Sequence, residues 1–250
     1  LFKKNKYFKK TNIFPLDSEH FSLFEYFNNS KYNNVNKIII TASGGPFYKY
    51  KFKDLKNITF NQAVNHPKWN MGYKNSIDSA TLVNKCLEVI EAHYLFDIPY
   101  NKIKILIHPE AIVHSIISKN NFVSSMNLFK NDMRIPIYNF LNLLNLNKKQ
   151  IQSLEYNSFE NFRFFEVKNS NFPIYKYFNE LDKSNPSNII KFNVSNEIAV
   201  NLFKKNLIKY TDIYKIIKKV GSLNLYSPLK TIKDIIKYHE KLEKYINQLF

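Results

Sequence analysis

The run Lys37-Ile38-Ile39-Ile40-Thr41, leading straight into Ala42-Ser43-Gly44-Gly45-Pro46-Phe47, constrains this chain more than any other feature. A continuous β-branched run offers no polar side to water, so it reads as a strand covered on both faces, the kind found in α/β sheets. The loop that follows leaves the C-terminal end of that strand, the edge where such sheets bind ligands. Glycine scarcity sharpens the point. Average usage would put about 17 glycines in a chain of this length, yet only 4 are present, three of them Gly44, Gly45 and Gly72. At the Gly44-Gly45 pair the sequence therefore asks for a positive φ or for close approach of something to the main chain.

The 250 residues, 44% hydrophobic and 16% aromatic, suffice for one large domain or two modest ones with real cores. A formal charge of +17 would ordinarily point to nucleic acid or an anionic membrane. Here the basic pairs, such as Lys3-Lys4, Lys148-Lys149, Lys204-Lys205 and Lys218-Lys219, are spread thinly along the chain. Asparagine makes up about one residue in seven, well beyond ordinary usage. We read this as drift of the kind AT-rich coding produces, and expect neither a nucleic-acid nor a membrane partner. One cysteine, Cys86, excludes an internal disulfide and makes a reducing compartment the default. No apolar run reaches the length of a membrane span, about 18 residues. The chain opens on Leu1, without an initiator Met or the order of a signal peptide. The expectation is a fragment whose residues 1–13 are the remnant of an upstream domain, with any targeting segment further upstream.

Along the chain, strands are predicted at 37–41, 102–107, 112–118 and 122–128. Thr59 caps a short helix to Asn65, closed by His66-Pro67. A long helix is predicted from Ser76 to Leu95, with Leu82, Cys86, Val89, Ile90 and His93 as its buried stripe. Another fits 137–146. Residues 147–171 lose periodicity and read as a linker or covering arm, and beyond Phe172 the pattern is helical: 174–180, 195–205, 211–219 and 229–250. The fold class is α/β, a central mixed-sheet catalytic domain over 14–146 followed by a small all-helical C-terminal domain over 172–250.

Several residues carry chemistry. Asp17 and Glu19, two apart after the extended Phe14-Pro15-Leu16, can turn both carboxylates toward one hard cation, Mg²⁺ or Mn²⁺; a solvated acidic turn or a helix cap is the alternative. On the long helix, Thr81, Asn84 and Glu88 share a face, with Ser79 and Lys85 beside them. Hydroxyls, an amide, an ammonium and helix N-terminal amides suit a phosphate, and Glu88 suits a third metal carboxylate; an ordinary wet face is the other reading. Ser43 with Gly44-Gly45 fits an anion-binding turn. His66 offers a phosphate donor or acid-base group, or merely a structural cap. Trp69, with Met71 and Gly72, offers an apolar lid or a packing anchor. Within about 70 residues these features make one coherent site for a metal-chelated, phosphorylated substrate.

The motifs then carry a resemblance. Pro15-Leu16-Asp17-Ser18-Glu19-His20, Ser43-Gly44-Gly45-Pro46-Phe47, His66-Pro67-Lys68-Trp69-Asn70-Met71-Gly72, Ile77-Asp78-Ser79-Ala80-Thr81 and Asn84-Lys85 through Glu88 occur in order, followed by Ile107-His108-Pro109-Glu110, Asp132-Met133-Arg134-Ile135-Pro136-Ile137 and Asn196-Glu197-Ile198-Ala199-Val200. Together they resemble the 1-deoxy-D-xylulose 5-phosphate reductoisomerase family over roughly residues 14–215. The resemblance implies an NADPH-dependent oxidoreductase and isomerase that makes 2-C-methyl-D-erythritol 4-phosphate in non-mevalonate isoprenoid biosynthesis. It implies that Asp17, Glu19 and Glu88 bind the cation and, with His66, form the catalytic set. Ser18 would contact the substrate with Glu19 and Glu88, while Ser43, Ser79, Asn84 and Lys85 hold its phosphate beside His66. Trp69 and Met71 would form the lid, and Met71 and Gly72 would touch the nicotinamide.

The resemblance further implies a homodimer and, with the composition, a plastid (apicoplast) location. The family's dinucleotide domain, its glycine fingerprint and a lysine upstream of the metal carboxylates are missing from these residues, so the chain alone is expected to bind NADPH poorly and to be inactive. Lys130-Asn131, Ser195 and His93 also depart from the family pattern, none within the expected site. The competing readings are a metal-dependent sugar-phosphate isomerase or lyase without redox chemistry, a degenerate paralogue, and a basic nucleic-acid-binding domain.

Overall fold

The computed structural model describes residues 13–29, 35–68, 71–144 and 162–250. Residues 1–12, most of the expected N-terminal remnant, lie outside that set, as do Trp69, Asn70 and residues 145–161, the larger part of the expected arm.

Among the described residues, five strands form one mixed sheet in the order β4-β3-β1-β2-β5, with β1 Val35–Ala42, β2 Ile103–Ile107, β3 Val113–Lys119, β4 Phe122–Leu128 and β5 Phe165–Glu166. The β-branched run sits in the central strand, where Ile38 and Ile40 are fully buried. Strand β1 pairs in parallel with β2, Ile38 opposite Ile103 and Ala42 opposite Ile107, and antiparallel with β3. A parallel neighbour needs a long crossover. The segment between β1 and β2 supplies it as α2 Phe60–Val64, α3 Tyr73–Thr81 and α4 Val83–Phe96. Thr59 caps α2, as the sequence leads one to expect, and Gln62 completes a reciprocal box with it. Helix α4 packs on β1 and β2, while α1, Ser18–Asn29, packs on β3 and β4 and also touches α4.

Among the described residues after α5, Arg134–Leu143, the regular elements apart from β5 are helices: α6 Pro173–Glu180, α7 Pro186–Lys204, α8 Asp212–Gly221 and α9 Ile232–Leu249. Among the described residues, one hydrophobic cluster runs from Ile38 and Ile40 through Cys86 and Ala92 to Phe178, Phe192, Tyr210 and Leu242. The described end of the arm adds β5 to the edge of β2, and Arg163 there pairs with Glu110.

Four expectations need correcting. Residues 76–95 are not one helix: Leu82 adopts φ 66°, ending α3 and starting α4. A leucine in the left-handed region is uncommon and gives no sequence signal; here the side chain is buried in the core, 1% exposed. The chain after Leu16 is not extended through Glu19, because α1 starts at Ser18. Helix α7 starts at Pro186 rather than Ser195, with the Asn185 side chain accepting from Ser187 N–H and Pro186 in the first turn. Its early turns escaped notice because Ser187, Lys191, Ser195 and Asn196 are buried beside its apolar residues, which blurs the helical period. Lys191 reaches the Gly221 and Leu223 carbonyls at 3.1 and 3.0 Å, at the end of α8 and just past it. Finally, α5 covers 134–143 and not 137–146.

Candidate active site

Beyond the C-terminal end of β1 lies a cavity of about 260 Å³ whose wall includes Asp17, Glu19, Glu88 and Lys85 at one end and Ser43, His66 and Ser79 at the other.

The acidic end is built where α1 begins beside α4. Asp17 caps α1: its Oδ1 accepts from Glu19 N–H and His20 N–H, each at 3.2 Å. Metal-site geometry and helix cap are thus the same arrangement rather than alternatives, since the cap fixes one carboxylate while Glu19 leaves the first turn toward the same space. Glu88 comes from α4 and is 3% exposed. One ligand oxygen from each of Asp17, Glu19 and Glu88 lies within 4.8 Å of the others. Three hard oxygens at that spacing fit a Mg²⁺-like ion with bonds of about 2.0 to 2.1 Å after small side-chain adjustments.

Two cationic side chains compensate this acidity. Lys85 Nζ donates to Glu19 and, at 2.8 and 2.7 Å, to both oxygens of Glu88. Burial would lower the Lys85 pKa, but Glu19, Glu88 and Asp17 outweigh it and raise it, so the ammonium stays charged. Burial, with Glu19 nearby, pushes Glu88 upward against the pull of Lys85. His20, buried, places Nδ1 3.0 Å from Asp17 and Nε2 2.9 Å from the Glu88 carbonyl. Burial alone would lower its pKa; the Asp17 hydrogen bond and the charges of Asp17 and Glu88 bring it up to about 9. Burial would raise Asp17, yet His20, aided by Lys85, holds it at about 2. Ser18 donates to Glu19, and Asn84 donates to Glu88.

The other end is neutral. His66 Nδ1 accepts from Lys68 N–H at 3.2 Å, which leaves the proton on Nε2, 2.9 Å from Ser43 Oγ and 3.1 Å from Ser79 Oγ. Burial and the Lys85 charge hold its pKa at about 4, so the ring is a neutral donor. Gly44 and Gly45 carry φ of 80° and 63°, and a Cβ on Gly45 would stand 2.7 Å from Ala80 Cα. The glycine thus lets the β1 loop press against α3 and bring Ser43 to Ser79. The break at Leu82 adds a second helix start here, with no side-chain cap on α4.

Met71 also lines the cavity, while Gly72 precedes α3 as its N-cap and is exposed; Trp69 lies outside the described residues. Asn84 and Lys85 meet the carboxylates rather than the two serines and His66. The face of α4 bearing Lys85 and Glu88 is covered, not wet. Sequence reasoning missed five contributors, among them Thr41, which was visible only as a strand residue. His20 stood inside the Asp-Ser-Glu-His motif and Met133 inside Asp-Met-Arg, so both were visible without a role; Asn75 and Ala111 line the cavity and gave no signal.

Residues 13–96 match the profile of the 1-deoxy-D-xylulose 5-phosphate reductoisomerase C-terminal domain, and residues 128–245 match that of the DXP reductoisomerase C-terminal domain. A curated relative, 1-deoxy-D-xylulose 5-phosphate reductoisomerase of Clostridium novyi, is 40% identical over 238 residues, covering 95% of this chain and 62% of the relative. The Zymomonas mobilis enzyme of that name, solved with NADPH, superposes with a TM-score of 0.81 at 33% identity, over 94% of this chain and 61% of that one. A DOX-P reductoisomerase solved with NADPH, fosmidomycin and magnesium gives 0.83 at 30% identity, over 95% and 63%. The chain therefore spans less than two thirds of the proteins it matches.

Proposed function

Because this chain belongs to the 1-deoxy-D-xylulose 5-phosphate reductoisomerase family, we propose that the whole protein uses NADPH and a divalent cation to convert 1-deoxy-D-xylulose 5-phosphate to 2-C-methyl-D-erythritol 4-phosphate. The observation that carries the reading is the junction, in one cavity, of three convergent carboxylates with a neutral Ser43–His66–Ser79 cluster. One end suits a chelated hydroxyketone and the other a phosphate.

Asp17, Glu19 and Glu88 hold the cation, which when bound polarises the ketone and stabilises developing alkoxide charge. His20 orients Asp17 through its Nδ1 and leaves the carboxylate's other oxygen to the cation. Ser18 offers a hydroxyl to the substrate beside them. Ser43, Ser79 and the His66 Nε2–H bind the phosphate, with Asn84, Lys85 and the first-turn amides of α4 adding positive potential. Anchoring at both ends fixes the carbon skeleton, so rearrangement does not wait on orientation. Met71, with Trp69 and Gly72, closes over substrate and nicotinamide and excludes water. NADPH then supplies the hydride, held chiefly by parts of the protein beyond this chain.

Residues 14–146 form the catalytic unit in this reading, and 172–250 a helical unit backing it. Mn²⁺ serves in place of Mg²⁺. The protein is a homodimer, supported by the apolar Phe122, Val123 and Met126 exposed on the edge strand β4; light scattering checks this. Among the described residues no helix is long and apolar enough to cross a membrane. A plastid location rests on the resemblance together with the composition, and localisation of a tagged full-length protein decides it.

The central test is to supply the whole protein with 1-deoxy-D-xylulose 5-phosphate, NADPH and Mg²⁺. The expected result is one NADPH oxidised per 2-C-methyl-D-erythritol 4-phosphate formed, abolished by chelator. Consumption of the sugar phosphate without NADPH oxidation would replace this reading with that of an isomerase or lyase.

A further inference from the structure

Lys85 occupies the oxygens that a divalent cation requires. Its ammonium donates to Glu19 Oε1 and to both Glu88 oxygens, and Glu19 and Glu88 are two of the three carboxylates that converge. An ammonium and a divalent cation cannot share those oxygens, because like charges at hydrogen-bond distance in a largely buried site repel strongly. The ammonium has a second destination within reach. Lys85 lines the same cavity as Ser43, His66 and Ser79, and its charge already acts on the His66 ring. It sits in the first turn of α4 on a flexible four-carbon stem. Asn84, its neighbour, is likewise engaged with Glu88, so neither group of this turn now serves the neutral end.

Resting on the proposed reading of the two ends, we infer that Lys85 and the divalent cation exchange places: metal binding expels the ammonium from Glu19 and Glu88 and delivers it to the phosphate end. Lys85 is therefore a coupling residue as well as a phosphate contact. Before metal loads, it bridges Glu19 and Glu88 and offsets part of their mutual repulsion. After loading, its charge faces Ser43, His66 and Ser79, where a phosphate dianion gains a charge-assisted hydrogen bond. Metal and phosphate then bind with positive coupling, which must be reciprocal. The order of assembly follows, with the cation favoured before the phosphorylated ligand.

The test uses the whole protein with Mn²⁺ and inorganic phosphate as probes, at alkaline pH where protons compete least for the carboxylates. Mn²⁺ binding is read by electron paramagnetic resonance and phosphate binding by calorimetry. In the wild type, saturating phosphate should tighten Mn²⁺ about tenfold, and Mn²⁺ should tighten phosphate by the same factor. In Lys85→Met, Mn²⁺ should bind at least as tightly as in the wild type without phosphate, because no ammonium competes, and coupling should fall below about twofold. Full coupling in Lys85→Met would mean direct metal–phosphate attraction and would overturn the exchange. So would loss of Mn²⁺ affinity in a folded Lys85→Met, or phosphate affinity in the wild type that ignores Mn²⁺.

If Lys85→Met does not fold, Lys85→Arg decides with the wild type: the retained charge should retain the coupling, and its disappearance counts against the idea. Failure of the underlying site looks different. Wild-type protein that binds no Mn²⁺, or Mn²⁺ binding indifferent to Glu88→Gln, removes the metal site itself.

Discussion

The two ends of the cavity are held in place by different physics. At the acidic end, charge does the positioning: Glu19 and Glu88 close on Lys85, and Asp17 closes on His20, all but Asp17 largely buried. At the neutral end, backbone geometry does it: two positive-φ glycines and a left-handed leucine bring Ser43, His66 and Ser79 together without any formal charge among them. The acidic end should therefore answer to pH, metal and charge substitution, and the neutral end to backbone change.

The largest effect expected is at the acidic end. Glu88→Gln removes one of three converging carboxylates, so Mn²⁺ affinity should fall by a hundredfold or more, beyond the range of about 10- to 100-fold for losing a mere supporting partner of a ligand. Phosphate binding without metal should not weaken, because Lys85 loses a carboxylate partner rather than its charge. Calorimetric titration of both probes checks this, and equal losses at both ends would erase the contrast.

Next comes Gly45→Ala. A Cβ 2.7 Å from Ala80 Cα at φ 63° must displace the loop or α3, costing about 1 to 3 kcal/mol of stability from the strained backbone alone. Thermal unfolding should register it, with weaker phosphate binding and unchanged Mn²⁺ affinity in the folded fraction. An undisturbed phosphate end would mean that the close approach does not position Ser43.

His20→Asn should act more gently and only at the acidic end. The shorter side chain loses the reach to Asp17 and to the Glu88 carbonyl, and Mn²⁺ affinity should drop about tenfold, the low end for an outer partner. Phosphate affinity measured without metal should stay unchanged.

The smallest effect is a pH response at the neutral end. The His66 pKa is depressed from 6.5 to about 4 by burial and by Lys85. A depressed value means that its contribution to stability is present above pH 6.5 and is lost as pH falls through 4. An NMR titration should place the ring's midpoint near 4, and bound phosphate should raise it. A midpoint near 6.5 without ligand would remove the reason to treat the ring as a neutral donor.

Much of this could be read from the residues. The Lys37–Thr41 run had to be a covered strand because it is apolar on both sides, and Thr59 had to start a helix because its side chain satisfies one of the first amides. Convergence of Asp17 with Glu88 was legible only by resemblance, since α4 joins α1 through tertiary packing that no spacing rule encodes. Other features left no trace. Leu82 breaks a helix through a conformation that leucine does not advertise, and α7 hides its start because buried Lys191 and Asn196 find polar partners deep in the protein. Lys85 was read as a phosphate ligand because sequence reports a charge, not its direction. Only the folded geometry reveals that two carboxylates reach it first.

The parallel pairing of β1 with β2 also bears on how the molecule comes to exist. Ile38 cannot meet Ile103 until all of α2, α3 and α4 has been traversed, and β1 meets β3 from still further along the chain. Such distant closures slow the search for the native state, because the entropy of a long loop is lost before any contact compensates. Ser43, His66, Ser79, Lys85 and Glu88 all lie within the loop that the β1–β2 pairing closes, and Asp17 reaches them through α1, which packs on the later strands β3 and β4. A chain emerging in order thus exposes its apolar central strand well before β2 and β3 arrive to cover it, and that interval is when this protein most needs protection from aggregation.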